Sequence, residues 1–368
     1  MKRIERQLEI KESFGGAVHG ARCAGRVLVF ALGIGIMLLL GGCGGEGEKT
    51  QAALELIRNL DYQGALGQLD SAENEGENAR LVNRARGIAY MGLTEYEQAA
   101  FFFEASLGGS SGMVENLDFD LNYYLAAAYS KSEKYAEAEA VYNAVLALRP
   151  QEKDAYYLRG NARLAQGNYV GAKEDFDRAV EMAPKDYDRL IEIYEVLEYY
   201  GYKDVGQQYL RTVLESGDKQ MDKFVSGRIY YYLGEYQSAC IALEEAKEKG
   251  GVESYLYLGR AYEATGDYNY AANVYNSYLG SNEGSAEMYN QLGLCEIARG
   301  DYQKALEAFQ AGMQVGNSAM MQTLSFNEIV AYEHLGDFKQ AFVLMENYLK
   351  NYPDDVQARR EYQFLSSR

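Results

Sequence analysis

Tyr255 to Tyr278 reads YLYLGRAYEATGDYNYAANVYNSY, and its large and small residues fall at spacings that a packed pair of helices explains. Leu258, Gly259 and Tyr262 share one face of a first helix, and Tyr268, Ala271, Tyr275 and Tyr278 continue on a second. Helices that cross closely need small side chains at the crossing and large ones filling the gaps beside it, which Gly259 and Ala271 on one hand and the tyrosines on the other supply. Between the two, Gly266 tolerates the positive φ that ends a helix and Asp267 offers a carboxylate to cap the next. Such an antiparallel hairpin cannot bury its apolar face alone, so copies must stack.

The copies are legible. The aromatic residue just past the turn recurs at Tyr62, Tyr96, Tyr135, Tyr169, Tyr236, Tyr268, Tyr302 and Phe338, with steps of 34, 39, 34, 67, 32, 34 and 36 residues. Three residues beyond each stands an alanine: Ala65, Ala99, Ala138, Ala172, Ala239, Ala271, Ala305 and Ala341. Seven residues beyond stands a large side chain: Leu69, Phe103, Tyr142, Phe176, Leu243, Tyr275, Phe309 and Met345. The 67-residue step hides a degenerate copy, Asp186 to Glu215, which keeps Gly201 but carries Lys203 and Gly206 where Tyr and Ala are expected. The extra residues of the 39-residue step fall in the Gly/Ser-rich joint Leu107 to Leu117, where an insertion costs little.

This pattern resembles the tetratricopeptide repeat family, with Leu292, Gly293, Gly300, Tyr302, Ala305 and Phe309 as one full instance and Pro150, Pro184 and Pro353 where repeats of that family often end. The resemblance implies an all-α fold, a right-handed α-solenoid of about nine helical hairpins over residues 51–353 with a capping helix over 354–368. In that helix Asp354 or Asp355 is expected at the cap, with Val356, Tyr362 and Leu365 covering the last hairpin and Arg359, Arg360 and Glu361 facing water. A solenoid grows by adding units, which suits a chain of 368 residues better than one large core.

Residues 1–42 differ in kind. Lys2, Arg3, Arg6, Lys11, Arg22 and Arg26 precede an apolar run from Val27 to Leu40, about the length of a signal-peptide core and short for a membrane span. The run meets Leu40-Gly41-Gly42-Cys43, which resembles the lipobox of bacterial lipoproteins. That resemblance implies cleavage after residue 42, lipid on Cys43, a glycine-rich tether over 43–50, and a protein held on the extracytoplasmic face of a bacterial cell membrane. Cleavage removes six basic and three acidic residues, taking the net charge from −18 to −21. Such a balance disfavours nucleic acid as a partner.

No chemistry gathers along the chain. His334 is the one histidine after the leader and has no partnering base or nucleophile, Cys240 and Cys295 lie two hairpins apart and read as buried free thiols, and no metal-ligand or cofactor motif is present. An enzyme is not expected. Binding remains, and the family geometry places groove-facing residues on the first helix of each hairpin: Arg84, Tyr123, Tyr157, Asn161, Phe224, Arg228, Arg260 and Asn290. Tyrosine and arginine bring large area with a polar end, the side chains that most often carry binding energy. The reading is a scaffold for a protein or peptide, with a glycan-binding surface lipoprotein and a structural spacer as alternatives.

Overall fold

In this computed structural model residues 47–110, 112–217, 221–281, 284–316 and 318–367 are described. Cys43 and the leader lie outside them. Among the described residues all regular structure is helical: α1 (Glu48–Arg58), α2 (Tyr62–Asn74), α3 (Ala79–Gly92), α4 (Tyr96–Gly108), α5 (Asn116–Lys131), α6 (Tyr135–Leu148), α7 (Lys153–Ala165), α8 (Tyr169–Met182), α9 (Tyr187–Tyr199), α10 (Lys203–Glu215), α11 (Lys223–Leu233), α12 (Tyr236–Ala246), α13 (Gly251–Thr265), α14 (Tyr268–Ser281), α15 (Ala286–Arg299), α16 (Tyr302–Gln314), α17 (Met321–Leu335), α18 (Phe338–Asn351) and α19 (Val356–Leu365), with a 3₁₀ turn at Ser318–Met320. The chain forms two compact units, one ending at Gly206 and the other starting at Gln207, so the division falls inside α10.

Within each unit the rule is that of an α-solenoid. Consecutive helices pack on one another from α1 to α9 and from α11 to α19, and successive first helices also touch, α1 on α3 and α3 on α5 in the first unit, α11 on α13, α13 on α15 and α15 on α17 in the second. All eight alanines of the register are fully buried, and the eight large residues four positions later are at most 2% exposed. The degenerate copy obeys the same rule by substitution: a Cβ on Gly206 would lie 3.1 Å from Tyr194 Cα, and Leu210 fills the large slot, fully buried.

The turns follow from side-chain chemistry. Asp61, Asn168, Asp301 and Asp337 each accept a hydrogen bond from the backbone N–H three residues on, capping the second helix of their hairpins. Two residues before the aromatic anchor the backbone must be left-handed, and Gly266 and Gly300 supply it at φ 86° and 80°. The first three hairpins put Leu60, Thr94 and Glu133 there, at φ 62°, 62° and 60°. A β-branched residue is the least suited to that region. Thr94→Gly, at an exposed position, is therefore expected to raise stability by about 1 kcal/mol in urea unfolding, since the relieved strain exceeds the entropy that glycine loses.

Two ends differ from expectation. Helix α1 begins at Glu48, inside the stretch read as a tether to residue 50: the Glu77 carboxylate, in the loop after α2, accepts from Lys49 N (2.8 Å), Thr50 N (3.0 Å) and Thr50 Oγ1 (2.6 Å) and so caps the helix. At the other end Asp355 caps α19 by accepting from Ala358 N (2.9 Å). The helix covers the last hairpin with Ala358 and Leu365, while Val356, expected to cover it, is 55% exposed. Glu361, expected in water, is partly buried.

Candidate functional site

The first helices carry every groove residue named from the sequence, and in the structure most of these side chains bridge successive hairpins. In the first unit Arg84 on α3 is 7% exposed, pairs with Asp120 of α5 (Nε–Oδ2 2.6 Å) and lies over the Tyr124 ring at 5.6 Å. Tyr123 packs against Tyr142, ring centroids 6.2 Å apart, and burial raises its pKa, helped by Glu152 and Asp154. Tyr157 lies under Arg189 of α9, whose guanidinium is 4.0 Å from the ring centroid, and burial pushes its hydroxyl up to about 12. Arg189 also holds Asp154 (2.7 Å) and Glu192 (2.5 Å). Burial pushes the Glu192 carboxyl up to about 7; Arg189 opposes this, and Asp186, Asp188 and Glu195 add to it.

These contacts leave some polar atoms over. The hydroxyls of Tyr123 and Tyr124, Asp120 Oδ1 and Asn161 Oδ1 are buried without a hydrogen-bond partner among the described residues. Each such atom favours a further polar contact, because an unsatisfied buried group costs about 1–3 kcal/mol.

In the second unit the structure gathers three of the named residues on one that the sequence reading missed. Tyr257 of α13 is 4% exposed, and its ring faces Phe224 (6.1 Å), the Arg228 guanidinium (5.5 Å) and the Arg260 guanidinium (5.9 Å). Its hydroxyl shares a hydrogen bond with Tyr232 at 2.8 Å. Arg260 reaches on to Glu287 of α15 at 2.8 Å. Two cations meet the π-face of one buried ring, an arrangement that gains strength as water is excluded. Tyr257 precedes Leu258 of the repeat register by one residue; this places it beside the packing face, and the aromatic and arginine spacing, Phe224, Arg228 and Arg260, was the available signal. Asn290 lies apart from this cluster, accepting from Asn327 Nδ2 of α17 at 2.8 Å.

Other residues singled out have packing roles. His334 sits in the last turn of α17 with its ring stacked on Tyr302 at 4.6 Å, and partial burial lowers its pKa. Cys240 and Cys295 are free and buried, and burial pushes their thiols up to about 11 and about 12. At the turn edge of the second unit a shallow cavity of about 620 Å³ is lined by Asp267, Tyr268, Asn269, Tyr270, Arg299 and Asp301. Tyr270 there is 61% exposed and stacks its other face on Tyr262 at 5.4 Å. Among the described residues no helix is long and apolar enough to cross a membrane.

Three segments match family models described as tetratricopeptide repeat: residues 125–192, 256–314 and 326–355. Among curated proteins the chain is similar to RNA polymerase II-associated protein 3 of Xenopus tropicalis, 24% identical over 244 residues, covering 62% of this chain and 34% of that protein. The Homo sapiens protein of the same name is 26% identical over 154 residues, 41% of this chain and 22% of that one. The chain thus spans about a third or less of these relatives' length. Among solved structures it is similar to a tetratricopeptide repeat protein from Parabacteroides merdae, with 15% identity, a TM-score of 0.44, and 77% of this chain and 97% of that one covered.

Proposed function

We propose that this chain, which carries tetratricopeptide repeats, is a lipid-anchored extracytoplasmic scaffold that binds a protein or peptide across the first helices of its hairpins. The observation that carries the binding half is the gathering of Phe224, Arg228 and Arg260 on Tyr257, an arginine and aromatic surface in a chain of net charge −18. The anchoring half rests on the order of basic leader, apolar run and Cys43 in the sequence.

The test uses the acyl-free mature chain, residues 43–368, as bait against an envelope extract of its own cell. A saturable protein partner is expected, and Arg228→Ala with Arg260→Ala is expected to weaken it about tenfold or more while leaving helical content unchanged, as loss of central arginines does at interfaces. Retention unaffected by the double variant would remove this face as the site. Anchoring is tested separately: Cys43→Ala is expected to shift the full chain out of the membrane fraction or leave the leader uncut, and unchanged mass and fractionation would end that half of the proposal. A second reading, glycan capture, is favoured by the turn-edge cavity with its exposed tyrosine ring and its Asp, Asn and Arg lining. Binding of oligosaccharides that Tyr270→Ala abolishes would favour it instead.

A further inference from the structure

In the first unit the joints between hairpins lie along one edge, because antiparallel helices bring the starts of α1, α3, α5 and α7 to the same end as the last residues of α2, α4 and α6. Hydrogen bonds tie them there. Glu77, after α2, accepts from Lys49 N at the start of α1 (2.8 Å), Arg80 Nε of α3 donates to Ser106 O of α4 (3.0 Å), and Arg149 Nη2, after α6, donates to Asn116 Oδ1 of α5 (2.8 Å). The inserted residues of the 39-residue step fall on this edge and carry Met113 and Val114; Leu148 ends α6 on the same edge, and all three are at least 60% exposed. Leu60 and Val170 are as exposed at the opposite, turn edge, so exposure alone selects neither. The chain's own path does. Five positions separate Cys43 from Glu48, so a lipid on Cys43 stands no more than about 18 Å from the start of α1, which lies on the joint edge.

We propose that the joint edge of the first unit rests on the membrane, with Met113, Val114 and Leu148 entering the acyl boundary of the bilayer that holds the lipid of Cys43. This rests on the anchoring half of the function proposed above. Three apolar side chains are too few to hold a soluble protein on a bilayer, but a short tether keeps them at high effective concentration beside it, so a weak contact persists. The contact is apolar and not electrostatic: Glu75 and Glu115 stand exposed on the same edge, and anionic headgroups repel them. Resting on this edge leaves the first helices of the hairpins, where the partner is proposed to bind, open from the side.

The chain has no tryptophan, so one placed on either edge reports alone. The mature chain, residues 43–368, is coupled through Cys43 to a maleimide-headgroup lipid in phosphatidylcholine vesicles, Cys240 and Cys295 being buried, and its fluorescence is read with acyl-brominated phosphatidylcholine as quencher. Met113→Trp and Leu148→Trp are expected to be quenched about twofold or more, and Val170→Trp on the turn edge to be unquenched. Adding Met113→Asp and Val114→Asp to the Leu148→Trp chain is expected to abolish its quenching; the positions are exposed, so the fold is left as it is. No quenching at Met113 and Leu148, or quenching at Val170 equal to theirs, overturns the proposal. Because the anchor is supplied chemically, that result leaves lipidation in the cell standing, which the Cys43→Ala fractionation decides by itself.

Discussion

Gly293→Val is expected to destabilise the second unit by about 3 kcal/mol, one of the two largest effects of a single substitution on this fold. The reason is a contact that the repeat register places in several hairpins. A Cβ on Gly293 would stand 2.3 Å from Phe309 Cε1, and Phe309 is fully buried, so the ring has nowhere to go. The same relation joins Gly259 to Tyr275 (2.2 Å), Gly87 to Phe103 (2.4 Å), Gly160 to Phe176 (2.6 Å) and Gly227 to Leu243 (2.5 Å). The first helix rests its backbone on the large residue of the second, and any side chain lifts it off. Because neighbouring hairpins share interfaces, the loss should appear first as local opening of α15 and α16 and then as an earlier urea midpoint. Combining Gly293→Val with Phe309→Leu is expected to recover part of the loss, since the smaller residue gives the valine room. A urea midpoint for Gly293→Val equal to that of the unaltered chain would remove the packing register on which the fold description rests.

Asp175→Ala is expected to cost a similar amount, about 3 kcal/mol, by a different mechanism. Asp175 has a side chain only 3% exposed and accepts from Arg159 Nη2 (2.6 Å), Arg159 Nε (3.0 Å) and Arg163 Nη1 (3.0 Å). Removing it leaves two guanidiniums, 15% and 18% exposed, with less counter-charge than they need; Arg163 keeps Glu139 and Arg159 keeps Asn143. Arg159 and Arg163 occupy the places that Leu258 and Tyr262 hold in the hairpin of α13 and α14, so this hairpin has exchanged apolar packing for an ion network. Restoring the apolar set with Arg159→Leu, Arg163→Tyr and Asp175→Val together is expected to be close to neutral, because well-packed apolar residues often replace a buried ion cluster without loss. Urea unfolding of the single and triple variants measures both. A single variant no less stable than the unaltered chain would show that the two arginines find water on their own.

The reach of the sequence differed from residue to residue. The alanine and large-residue positions were readable because each hairpin repeats the same crossing, and even the copy at Asp186 to Glu215 keeps it with Gly206 and Leu210. The start of α1 was not, since its cap comes from Glu77, 28 residues away from Lys49 in the chain. The burial of Ala358 in place of Val356 depends on which face of α19 turns inward, and a ten-residue helix with few apolar side chains leaves that choice open. The surroundings of the groove candidates were half legible. Arg84, Arg260 and Asn290 lie on the expected helices, but that their polar ends are held by Asp120, Glu287 and Asn327 of the following hairpins required the stacked structure.

Sequence alone determined the hairpin, its period and its register, because side-chain volume at fixed intervals along a helix decides how near a neighbour may come and needs no partner from afar. Tertiary structure decided the electrostatics: which arginines meet Tyr257, and which aspartate holds Arg159. Volume acts where it stands, whereas the state of a charge depends on what another segment of chain brings within a few ångströms and on how much water is left between them.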